Sequence, residues 1–97
     1  MPLTRTYHLV EYREQGVEPT FLITAPDGGR VGTQNYYNLG TLIHDAERAL
    51  GIPKSEISCV VNDEELSTIR ARNVPGSHIY PIKGAYGEQA KTLLGDN

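Results

Sequence analysis

Ninety-seven residues with 38% hydrophobic content suffice for one domain of ordinary size and are too few for two. Twelve Asp and Glu against nine Lys and Arg leave a net charge of −3, which argues against nonspecific nucleic-acid or anionic-membrane binding, since that needs a concentrated basic face. Cys59 is the single cysteine, so an intrachain disulfide and a multi-cysteine metal site are both excluded. No apolar run could span a bilayer and the opening residues lack a signal-peptide pattern, so a reduced cytoplasmic setting is expected.

With one Phe and no Trp, the six Tyr must supply much of the large apolar area, their hydroxyls kept near water or a partner. A small core of this kind nets a stability of only ~5–15 kcal/mol. A homodimer would widen that margin, although nothing in the sequence requires one.

In chain order, residues 4–13 (TRTYHLVEYR) read as a strand. Tyr7 and Leu9 share one face and His8, Val10 and Tyr12 the other, which predicts cover on both sides. Gly16 marks a turn, and residues 20–25 (TFLITA) form the second strand of an antiparallel hairpin, with Pro19 just before it. Pro26-Asp27-Gly28-Gly29 is a turn signal. Residues 30–33 fit a short third strand or a loop equally well.

The clearest element follows. Leu39, Leu42, Ile43, Ala46, Ala49 and Leu50 fall on one arc at helical spacing, with Thr41, His44, Asp45 and Arg48 outside it. Asn38 suits the N-cap, and Gly51 with Pro53 stops the helix. The β-branched run 57–61 (ISCVV) is the next strand. Residues 62–70 fit either a short helix capped by Asn62, with Arg70 and Arg72 near its end, or a turn into Leu66-Ser67-Thr68-Ile69; a turn with an irregular or short helical segment is favoured. Pro75-Gly76 turns into a last strand over residues 77–83 (SHIYPIK). Residues 1–84 are thus expected to form one α+β domain, and residues 85–97 a frayed tail or a short helix using Leu93 and Leu94.

This order of elements, ββαβ(α/turn)β, together with Asn38, Leu39, Leu42 and Ala46 in the helix, Gly51-Ile52-Pro53 at its exit, the strand Cys59-Val60-Val61, Leu66, and Asn73-Val74 before the last strand, resembles the ubiquitin-like β-grasp family. The resemblance rests mainly on residues 38–66. It implies one helix packed on a mixed or antiparallel sheet, a last strand at the centre of that sheet, and an outer sheet face used for protein contact. Val60 would point to that face if Cys59 and Val61 point inward. Three departures stand beside it: about a dozen extra residues at 26–37, Pro81 in the last strand, and no C-terminal Gly-Gly through which a modifier of this family is activated.

No constellation of side chains makes a catalytic site. His44 falls on the polar arc of the helix. His8 and His78 would meet only if the first and last strands pair, and two histidines without a carboxylate or thiol partner make no metal site. Cys59 lies in an apolar strand and reads as a buried structural thiol. Glu64 and Glu65 are adjacent on a turn and read as solvated. The glycine-rich residues 28–35 approach a helix N-terminus but lack the lysine and spacing of a phosphate loop. Tyr36 and Tyr37 are more suggestive, because two adjacent aromatics cannot both face the core, and an exposed one beside Arg30 and Asn35 suits a protein contact. The expectation is therefore a non-catalytic protein-interaction module without cofactor or metal. It would meet its partner through Arg30, Asn35, Tyr36, Tyr37 and Val60. The alternative is a small-molecule or anion-binding protein with its pocket between residues 26–38 and the sheet.

Overall fold

In the computed structural model, residues 7–26, 29–67, 69 and 78–95 are described. The layout follows from the apolar arc of helix α1 (Leu39–Arg48), whose Leu39, Leu42, Ile43 and Ala46 are all buried. Asn38 caps it as expected: its side-chain oxygen accepts from the Thr41 N–H at 3.1 Å. Gly51 takes a positive φ of 71°, a region that costs a side-chain-bearing residue ~1–2 kcal/mol, and the chain turns there so that the Ile52 N–H reaches the Ala46 carbonyl at 2.8 Å. Leu50, expected on the arc, is instead 42% exposed. Helical spacing ceases to govern side-chain direction once Ala49 has closed the helix.

A short apolar helix is marginal alone and needs a sheet beneath it. Among the described residues that sheet has five strands: β1 (Tyr7–Tyr12), β2 (Thr20–Thr24), β3 (Arg30–Tyr36), β4 (Ile57–Cys59) and β5 (Ile79–Tyr80). The β1–β2 hairpin is antiparallel, with Leu9 opposite Ile23 and Glu11 opposite Phe21. Residues 30–33, which the sequence left open between strand and loop, belong to strand β3, which runs on to Tyr36 and is antiparallel to β2. The ladder is irregular, since Ile23 faces Val31 whereas Phe21 faces Tyr36, so β3 carries a bulge of extra residues. Much of the insertion relative to the ubiquitin-like pattern is therefore a strand.

The other edge of β1 is shared. β4 runs parallel to its first half, pairing Tyr7 to Leu9 with Ile57 to Cys59. β5 runs antiparallel to its second half, pairing Glu11 with Tyr80 and Tyr12 with Ile79. The last strand is thus a two-residue ladder in place of the longer central strand the resemblance implies, and the parallel neighbour of β1 is the strand that directly follows the helix exit. Pro81, which lacks an N–H to continue the ladder, follows β5 immediately.

Both faces of the sheet are covered, as the split pattern of β1 predicts. On one face Leu9, Phe21 and Ile23 pack with the arc of α1 and with Ile52, Ile57, Cys59 and Ile82. On the other, Val10 and Leu22 pack with Val60 and Ile79, and Leu66 and Ile69 close over them. Leu66 belongs to helix α2 (Asp63–Ser67), so residues 62–67 resolve toward the short helical reading. Asn62 starts it reciprocally, accepting from the Glu65 N–H at 2.8 Å and donating from Nδ2 to Glu65 Oε1 at 3.2 Å.

Of the two expectations for the tail, a frayed end or a short helix, residues 85–93 take the helix. Helix α3 (Ala85–Leu93) buries Gly87 and Ala90, and Leu94 at its cap is only 3% exposed. Ala90 and Leu94 join the same core as α1, so the domain extends beyond residue 84. Gly87 permits this approach, since a Cβ there would stand 2.7 Å from the Ile82 carbonyl oxygen. The expectations placed on residues 4–6, Asp27, Gly28, Thr68, Arg70, Arg72, Asn73, Val74, Pro75, Gly76 and Ser77 lie outside the described residues. Among the described residues, no helix is long and apolar enough to cross a membrane.

Candidate functional site

The two faces of β1 are finished differently. On the α1 side, the strand places Leu9 in the core and then Glu11 one step further along the same face, opposite Phe21. No residue of α1 lines the space above Glu11 and Phe21, and an open cavity of about 540 Å³ lies there. Its floor is Phe21 and Glu11. One wall is Tyr37, just before α1, with Glu18 and Pro19 from the β1–β2 connection. Tyr86, in the first turn of α3, and Lys83 form another.

The two tyrosines are the most exposed large aromatics of the described chain, Tyr37 at 65% and Tyr86 at 57%. Tyr86 is not loose: its ring lies 5.6 Å from that of Phe21, tilted by 55°. Such tilted pairs are favourable because the edge of one ring meets the face of the other.

Four charged groups also line the cavity, and three are already engaged. Glu11, 8% exposed, accepts a hydrogen bond from Arg13 Nε through Oε2. The Arg13 guanidinium then lies over the Tyr80 ring, 4.5 Å from its centroid. The Glu11 hydrogen bond holds Arg13 protonated more firmly than an ordinary arginine, with burial opposing it. Lys83 Nζ reaches Asp63 Oδ2 at 3.4 Å. Glu18 has no hydrogen bond or ion pair among the described residues, and Oε1 of Glu11 accepts none.

Of the five residues expected to meet a partner, only Tyr37 lines this cavity. Tyr36 faces the same side but packs against the core, and its hydroxyl donates to Asp45 Oδ2 at 2.9 Å. Arg30 and Asn35 belong to the opposite face, since Arg30 pairs with Thr24 and Asn35 Nδ2 donates to Thr20 Oγ1 at 3.0 Å. Arg30 Nη2 donates to Asn35 Oδ1, while Arg30 Nε is buried without a partner. Val60 is a correction: it is fully buried, because α2 and Ile79 cover the face it was expected to present. The cavity lies toward α3 from the pocket expected between residues 26–38 and the sheet, and among the described residues of that segment only Tyr37 lines it.

The remaining candidates are dispersed. Cys59 is buried, as its apolar strand predicts. His44 is exposed on α1. His78 stacks edge-on against Tyr12 at 5.6 Å, its Nδ1 buried and unpartnered, whereas His8 pairs with Thr24 and Ser58 further along β1, some 13 Å from Tyr12 at ~3.3 Å per residue. The Tyr12 hydroxyl is pushed above the ordinary tyrosine value by desolvation and by Glu14, to which it donates at 3.3 Å, with Arg30 opposing. Among the described residues, no three His, Cys, Asp or Glu side chains are grouped to hold a metal ion.

Sequence reasoning missed Glu11, Glu18 and Tyr86. One signal was available for Glu11: a carboxylate between Val10 and Tyr12 in a strand covered on both faces must find a cation or an opening. No protein-family model, curated protein or solved structure matches the chain.

Proposed function

We propose that the protein is a small, non-catalytic binding module that captures another protein through the cleft between Tyr37 and Tyr86. The observation that carries this reading is the pair of largely exposed tyrosines at the mouth of a cavity floored by Phe21. Tyrosine offers large, rigid contact area at small entropic cost, and such residues concentrate binding energy at interfaces. A ubiquitin-like frame accords with the hairpin, the capped helix and a later strand parallel to the first, while the order of strands beside β1 departs from it. In this reading the contact surface moves from the sheet face at Val60 to the loop before α1 and the start of α3.

The test is capture of a partner from the host on immobilised protein, comparing wild type with Tyr37→Ala and Tyr86→Ala. A partner retained by wild type and lost from both variants is expected; retention by all three, or no partner at all, removes the reading. The size of the cavity favours one other reading, a small-molecule site, because ligand pockets usually occupy ~300–1,000 Å³. A saturating ligand at 100-fold over its dissociation constant would stabilise the fold by ~2.7 kcal/mol, which a thermal-shift screen detects.

A further inference from the structure

The charges around the cleft do more than decorate it, because they are unequally satisfied. Arg13 is held by Glu11 and by the face of Tyr80, and Lys83 leans toward Asp63. Each cation therefore has its own carboxylate. Glu18 is left as the uncompensated charge of the site, and Oε1 of Glu11 keeps an unfilled acceptor position at the floor. Above them stand Tyr37 and Tyr86, whose ring faces attract cations within ~6 Å of their centroids. The chain as a whole is acidic, at −3.

Resting on the binding-module reading above, we propose that the group this cleft receives is an arginine side chain from the partner protein. The planar guanidinium stacks between the two tyrosines and donates to Glu18 and to Glu11 Oε1, while the apolar stem of the arginine lies against Phe21. Arginine fits better than lysine: its flat fork can stack on a ring and donate in plane at once, whereas an ammonium is a compact, strongly hydrated point charge. Arg13 on Tyr80 shows the same stacking within the chain. An anionic ligand would meet Arg13 already held by Glu11, Lys83 shared with Asp63, and the unpartnered carboxylate of Glu18, which is why the vacant volume favours a cation.

The probe is acetyl-arginine amide, titrated against the isotope-labelled protein at low salt while the ring and amide resonances of Tyr37, Tyr86, Phe21 and Glu18 are followed. Saturable shifts at these residues in the millimolar range are expected, with acetyl-lysine amide at least fivefold weaker and acetyl-glutamate amide inert. Glu18→Gln, an exposed and isosteric change, should weaken the arginine probe at least fivefold with unchanged thermal stability. Equal responses to all three amides, shifts elsewhere only, or an unaffected Glu18→Gln variant would overturn the assignment. If the probe fails while partner capture still depends on Tyr37 and Tyr86, the arginine assignment falls and the binding-module reading stands.

Discussion

Val60 and Tyr37 occupy opposite extremes of exposure, fully buried and 65% exposed, so substitutions at the two separate packing from recognition. Val60→Asp would place an uncompensated charge between β1 and α2, at a cost of about 3–5 kcal/mol. A matching fall in the urea midpoint, or failure to fold, is expected. Tyr37→Ala, which leaves the core untouched, should move stability by no more than about 0.5 kcal/mol in the same measurement. Cys59, buried in β4, should resist iodoacetamide near neutral pH until denaturant opens the fold, and rapid labelling of native protein would contradict its packing. The alternation in β1 identified its two faces in the sequence, and the apolar run around Cys59 identified a buried thiol. Cover on both faces was expected from β1, but which segment would supply it over Val60 was not legible, because that depends on the path of the chain after β4. Val60 was misjudged for this reason.

At the scale of elements, α1 was readable because its cap, its arc and its stop all lie within a few residues of it. For α2 the sequence left helix and turn open, and its start rests on the Asn62–Glu65 pair; Asn62→Ala should cost about 1 kcal/mol in chemical denaturation. For α3 a short helix was one of two readings, but its docking on the core was not readable, since the residues it buries deepest include Gly87 and Ala90, too small to register as an apolar stripe. Their burial reflects close approach to residue 82, and that is a tertiary fact. Gly87→Ala tests it: the added methyl meets the Ile82 carbonyl, and a loss of about 1–3 kcal/mol is expected. A loose tail would instead gain slightly from alanine. β3 was obscure for a different reason, since a bulge breaks the period on which strand recognition depends.

For the molecule as a whole, one sheet serves two cores, with α1 and α3 on one side and α2 with Ile69 and Ile79 on the other. The cleft exists because no residue of α1 lines the space beside Glu11, while Tyr86 of α3 packs on Phe21 at its side, so its exposed tyrosines are a product of where the helices are placed. Alkaline titration gives a global check on the sheet. Tyr12 has its pKa raised in the fold, so its contribution to stability is intact below the ordinary tyrosine value near 10 and is lost as pH rises through the higher folded value. Absorbance at alkaline pH should show one tyrosine ionising late, and replacement of Glu14 by Gln should advance it. The shared edge of β1 bears, finally, on the order of assembly. That strand is completed by residues 57–59 on half its length and by residues 79–80 on the other half, in opposite directions. An emerging chain can form the β1–β2 hairpin early, yet the second edge of β1 stays open until most of the polypeptide has been made. Closing such distant pairs places folding on the order of milliseconds to seconds, with the amides of β1 exchanging with solvent only when the entire molecule unfolds.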